Sequence, residues 1–151
     1  MCSSDLRMPK EMGAEFVVPD RIPYNSVVTT GTHDTSTLRM WWSEDRDRVR
    51  SLYGNVLRLA GEAPERCTSE IAKKILALLF ETDAMWAIIP IQDYLAINDD
   101  MAAKDFMSER INYPDNPNHT WSYRLHLPLE EILRKNTFNT TLGELIKNSG
   151  R

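Results

Sequence analysis

The sequence is short of most features that would assign a small protein at sight. It has two cysteines, Cys2 and Cys67, with no metal-type spacing between them, which excludes a disulfide-stapled scaffold and a zinc-knuckle reading and leaves two unpaired thiols. It has three histidines, and none precedes His33, while His119 and His126 stand too far apart for an i, i+4 pair on one helix. A phosphohydrolase built on histidine ligands is therefore short of ligands. No apolar run approaches the roughly 18 residues needed to cross a bilayer, and residues 1–6 carry neither a basic nor an apolar leader pattern, so the expected location is cytoplasmic. There is no excess of positive charge. The net charge is −4 and the isoelectric point near 5.4, which argues against a nucleic-acid or membrane-surface partner. Repeats and low-complexity linkers are absent as well.

What is present is the composition of one soluble domain: 151 residues, 42% hydrophobic and 26% charged. The sequons at Asn118 and Asn139 match the glycosylation pattern but lack a secretory context, and are expected to be unused. Pro19 and Pro23 punctuate a turn before the β-branched run 26–30, which reads as a buried strand. Polar residues follow at once. Asp34, Thr35 or Ser36 can cap a helix whose apolar positions Leu38, Trp41, Trp42, Val49, Leu52 and Tyr53 keep helical spacing up to Gly54. A second helix is expected behind Thr68 as cap, with Ile71, Ile75, Leu78 and Leu79 on one face. The run 87–91 reads as a second buried strand, against which Pro90 counts. A turn-rich stretch between Asn98 and His126 contains Asn112, Pro114, Asn116 and Pro117. Pro128 opens a short helix, and Thr141 with Glu144 forms a capping box for the last one. Strand, helix, strand, helix is the order of α/β units with parallel strands, and two such units cannot cover both edges of their own sheet. The chain thus reads as part of something larger.

The informative constellation is Thr29-Thr30-Gly31-Thr32-His33-Asp34, an imidazole and a carboxylate at a strand-to-helix junction. Both groups can hydrogen-bond vicinal sugar hydroxyls, and such bonds strengthen as a pyranose ring becomes oxocarbenium-like. Asp34 has a second reading as a helix cap, and the two roles are compatible. Trp41 and Trp42 are adjacent on a helix, so packing is the expected role for at least one of them. Gln92 and Asp93, at the exit of the second apolar run, are open to a functional or a structural hydrogen-bonding role.

From Arg7 onward the chain resembles the amylomaltase and disproportionating-enzyme family of 4-α-glucanotransferases, especially the branch that includes the plant cytosolic enzyme. The blocks that carry the resemblance are Arg7-Met8-Pro9, the run from Gly31-Thr32-His33-Asp34 to Trp41-Trp42, Met85-Trp86-Ala87-Ile88 with Pro90-Ile91-Gln92-Asp93, and Ile111-Asn112 with Trp121-Ser122-Tyr123-Arg124, in family order. The resemblance implies an α/β fold, the C-terminal part (about the last two βα units) of a (β/α)8 barrel. It implies a retaining transglycosylase acting on α-1,4-glucans and maltodextrins, with no cofactor and no metal. Asp34 matches the third carboxylate of the catalytic centre, which grips the sugar at the cleavage point; His33 matches its sugar-binding neighbour, and Asn112 falls in a loop near the donor sugar. No segment matches the nucleophile or the acid/base, which the family carries upstream, so the expected partner is the missing N-terminal part of the same barrel. Residues 1–6 match nothing in the family and are set apart as a candidate foreign or mis-assembled start; residues 7–151 are expected to form the C-terminal portion of one catalytic barrel. A non-catalytic carbohydrate-binding piece is the alternative function.

Overall fold

The computed structural model describes residues 2–9 and 12–151, without the side chains of Cys2 and Ser3. Three strands, β1 (Cys2–Asp5), β2 (Ser26–Thr29) and β3 (Trp86–Ala87), form a parallel sheet in that order. Cys2 pairs with Ser26 and Asp5 with Thr29 on one side of β2, and Val27 pairs with Trp86 on the other. The central strand is thus the β-branched run read from the sequence. Val28 is fully buried in it, as its residue type and its place between two neighbours require.

The first expected strand is present, but the second is cut short. β3 has two residues, and Pro90, which has no amide hydrogen to give to a ladder, stands as the N-cap of α4 (Ile91–Leu95). The residues set apart at the start contribute a strand of their own, β1, and Leu6 behind it is fully buried.

The long helix expected after β2 is broken. α1 (Leu38–Glu44) ends at Asp45, whose side chain accepts a hydrogen bond from the Arg48 amide at 3.2 Å and so caps the start of α2 (Arg46–Ser51). A π-helical turn at Leu52–Val56 continues α2, so Gly54 lies inside a turn rather than ending a helix. α3 (Ser69–Phe80) forms where expected. Thr68 caps it by accepting from the Ile71 amide at 3.3 Å. Its face of Ile71, Ala72, Ile75, Leu76, Leu79 and Phe80 is buried, while Leu78 is half-buried at the margin. Fully burying one such aliphatic side chain contributes roughly 1.5–3 kcal/mol.

α5 (Leu129–Arg134) follows Pro128, and α6 (Asn136–Asn148) packs against α3 and buries Phe138. Thr141 and Glu144 lie within α6 and do not cap it. Both tryptophans of α1 are core. Trp42 is fully buried with its indole N–H donating to the Pro64 carbonyl at 2.9 Å, and Trp41 meets the Phe16 ring edge-on at 6.2 Å. Cys67 is a free thiol. Among the described residues no helix is long and apolar enough to cross a membrane.

Candidate active site

The segment 30–37 leaves the C-terminal end of β2 and is held from below by two buried charged side chains. Asp93, in the first turn of α4, is 1% exposed; its Oδ2 accepts from the Thr30 hydroxyl at 2.5 Å and its Oδ1 from the Leu38 amide at 2.8 Å. One carboxylate therefore pins both ends of the loop, a structural hydrogen-bonding role. Arg7 supports the middle. Its Nη2 donates to the Ser36 carbonyl at 2.8 Å and to the Thr35 hydroxyl at 3.2 Å. Gly31 is needed for this approach, since a β-carbon there would lie 2.1 Å from Arg7 Nη2.

A tight turn follows, in which the Thr35 amide donates to the Thr32 carbonyl at 3.2 Å and the Thr35 hydroxyl accepts from the Thr32 amide at 2.9 Å. The helix cap is Thr37, three residues beyond Asp34, because the turn at Thr32 and Thr35 consumes the residues between. Asp34 is thereby released from capping. Its carboxylate points outward with a side chain 52% exposed, beside that of His33, which is 51% exposed.

The structure brings all three expected site residues together. His33 Nε2 lies 3.3 Å from Asp34 Oδ2, and Asn112 donates from Nδ2 to Asp34 Oδ1 at 2.7 Å. An ionised carboxylate has about four lone-pair sites, so each oxygen keeps acceptor capacity after these contacts. Trp121 joins them, its ring 4.7 Å from that of His33 and tilted by 47°. Arg124 is exposed and, among the described residues, has no hydrogen bond, ion pair or ring contact with the pair.

Two supporting residues have roles that the sequence does not assign. Glu109 is 1% exposed beneath the loop, 3.4 Å from Arg39 Nη1 and 3.5 Å from the Thr37 hydroxyl. Burial pushes its carboxyl up to about 7, against the pull of Arg39. Burial raises Asp93 as well, opposed by the bonds from Thr30 and Leu38 and by Arg7. The other is Arg7 itself, which burial lowers while Asp5, Asp93 and Glu44 hold it up. A guanidinium keeps its proton through such a change, so Arg7 is a fixed positive charge under the loop. Gln92 completes the layer by donating from Nε2 to the Glu109 carbonyl at 3.0 Å. Among the described residues no three His, Cys, Asp or Glu side chains cluster as metal ligands.

A half-exposed carboxylate, imidazole and carboxamide converging at the end of a parallel strand suit polyhydroxylated ligands better than anions. Comparison with known proteins gives the arrangement a family: residues 4–130 match the family model described as 4-alpha-glucanotransferase. The chain belongs to that family. The matched span takes in Ser4, Asp5 and Leu6, upstream of Arg7, where the resemblance in the sequence begins. The chain is 41% identical over 145 residues to the 4-alpha-glucanotransferase DPE2 of Oryza sativa subsp. japonica, covering 96% of this chain and 15% of the rice protein. It is 31% identical over 122 residues to the 4-alpha-glucanotransferase of Chlamydia pneumoniae, covering 80% of this chain and 23% of that one. It therefore spans less than a quarter of the length of either relative. Among solved structures, an amylomaltase from Streptococcus agalactiae in complex with acarbose superposes with a TM-score of 0.69 at 20% identity, over 99% of this chain and 27% of that one. The fold of this 4-α-glucanotransferase family member is thus that of part of an amylomaltase.

Proposed function

We propose that these residues form the C-terminal, sugar-gripping part of a 4-α-glucanotransferase (β/α)8 barrel that transfers α-1,4-glucan segments between maltodextrin or glycan chains with retention. The observation that carries the reading is the release of Asp34 from capping, with His33 and Asn112 converging on its carboxylate.

In a retaining transfer, one carboxylate attacks the anomeric carbon while a carboxylic acid protonates the departing glycosidic oxygen; an acceptor hydroxyl then attacks the anomeric carbon of the covalent intermediate, releasing the carboxylate and returning its proton to the acid/base. Asp34 takes neither part. Its negative charge accepts hydrogen bonds from hydroxyls of the reacting sugar, and these tighten as positive charge builds on the ring. His33 and Asn112 hold the same carboxylate in place and offer further polar atoms to the sugar. The nucleophile and the acid/base belong to other parts of the barrel. The reading keeps the cytoplasmic location expected from the sequence.

Incubation of the full-length enzyme with maltotriose tests this. Glucose together with maltodextrins longer than maltotriose is expected, and glucose with maltose alone would contradict transfer. The 151-residue chain by itself is expected to form no product. Authentic product from the chain alone, lost on Asp34→Asn, would show that the nucleophile and acid/base lie within it.

A further inference from the structure

The loop that carries Asn112 also delivers an aromatic ring to the other side of the His33–Asp34 pair, and it is braced to do so. The Arg110 guanidinium lies over the Tyr113 ring at 4.5 Å and donates from Nε to the Asn112 carbonyl at 2.8 Å. Tyr113 meets His119 edge-on at 5.0 Å, and His119 Nε2 lies 2.9 Å from the Ile111 carbonyl oxygen. Backbone bonds from the Asn116 amide to the Tyr113 carbonyl at 2.9 Å and from the His119 amide to the Asn116 carbonyl at 3.0 Å close the turns. Out of this frame Asn112 reaches Asp34 and Trp121 reaches His33.

Trp121 nevertheless stays 60% exposed, whereas Trp41 and Trp42 are 5% and 0% exposed. A large apolar ring set 4.7 Å from the His33 imidazole, beside polar hydrogen-bonding groups, is the pattern of a site that an amphipathic ligand completes. A glucose ring is such a ligand: its C–H face is apolar, and its hydroxyls project from the edge.

We propose that Trp121 is a stacking platform for the glucan chain, binding the sugar next to the one gripped by Asp34, with His33 between the two. The assignment rests on the glucan-transfer reading of the site and adds a residue that sets affinity for the chain.

The test uses the full-length enzyme with maltotriose as substrate and acarbose as a non-reacting probe. Trp121→Ala is expected to raise KM about tenfold or more with kcat changed far less, since stacking acts in the ground state as well as the transition state. Trp121→Phe should recover most of the loss, because it restores the aromatic face. Acarbose should change the tryptophan emission of the unmodified enzyme by a component that Trp121→Phe lacks, and the melting temperature should not move. A KM for Trp121→Ala within about twofold of the unmodified enzyme overturns the proposal. So does a Phe variant no better than Ala, which would mark Trp121 as a packing residue for the loop. If the unmodified enzyme makes no longer maltodextrins, the glucanotransferase reading falls and the platform with it; if it does and only the Trp121 results fail, the platform alone is wrong.

Discussion

Replacing Gly31 by alanine should damage the site loop through Arg7, and the size of the effect follows from one distance. The new β-carbon would lie 2.1 Å from Arg7 Nη2 and 2.7 Å from the Thr35 hydroxyl oxygen, whereas ordinary contact begins near 3.4 Å. An arginine head group in water would swing away at little cost. Here it is 5% exposed, lies 5.6 Å from the Trp41 ring and donates to Ser36 and Thr35. A retreat of about 1 Å takes the 2.8 Å bond to the Ser36 carbonyl out of range, and a bond from a charged donor is worth about 1.5–3 kcal/mol. Overpacking adds about 1–3 kcal/mol, so a loss of about 2.5–6 kcal/mol is expected. The control is Arg7→Ala. With the guanidinium gone the main clash disappears, though the Thr35 contact remains, so Gly31→Ala should cost less than half as much in that background. Urea unfolding followed by tryptophan emission, which reports on Trp41 beneath the guanidinium, measures all corners of the cycle. Equal costs for Gly31→Ala in both backgrounds, within about 0.5 kcal/mol, would refute the claim that this glycine exists to admit Arg7.

Glu109→Gln should alter the pH dependence of stability. The folded carboxyl is raised from 4.5 to about 7, so its favourable contribution is complete below pH 4.5 and is lost as pH rises through about 7. The variant should therefore gain on the unmodified protein between pH 5 and pH 8 in urea midpoint, and a constant difference across that range would contradict the burial of an ionisable group there. His33→Ala should lower transfer less than Asp34→Asn does, because an imidazole contact to sugar hydroxyls positions the ring without carrying the charge that stabilises it. A larger loss for His33→Ala with the fold intact would mean that the two roles are reversed.

The residues of the candidate site were more legible than the scaffold under them. The run 26–30, the His33–Asp34 pair and the turn-rich loop around Asn112 all announce themselves by residue type, and the order of the quoted blocks supplied the family. The cap was misplaced because Asp34, Thr35, Ser36 and Thr37 are all good caps by local chemistry; the choice falls to Thr37 through a turn braced by Arg7 and an N-terminal amide held by Asp93, both distant in sequence. The break between α1 and α2 did have a local signal, in an aspartate able to cap the following turn. The second strand is cut short for a different reason. An apolar run of that length suits strand or helix equally, and Pro90 decides it by starting α4. The roles of Glu109 and Arg7 were out of reach because a buried charge network is defined by partners from several elements, and no spacing rule encodes it.

Transfer by the Asp34→Asn variant of the full-length enzyme tests the central claim most directly. The substitution keeps the size of the side chain and its ability to accept from Asn112, while it removes the charge that would stabilise the reacting sugar. With maltotriose as substrate, kcat is expected to fall at least about 100-fold at an unchanged melting temperature. Turnover close to that of the unmodified enzyme would contradict the assignment of Asp34 to the catalytic centre.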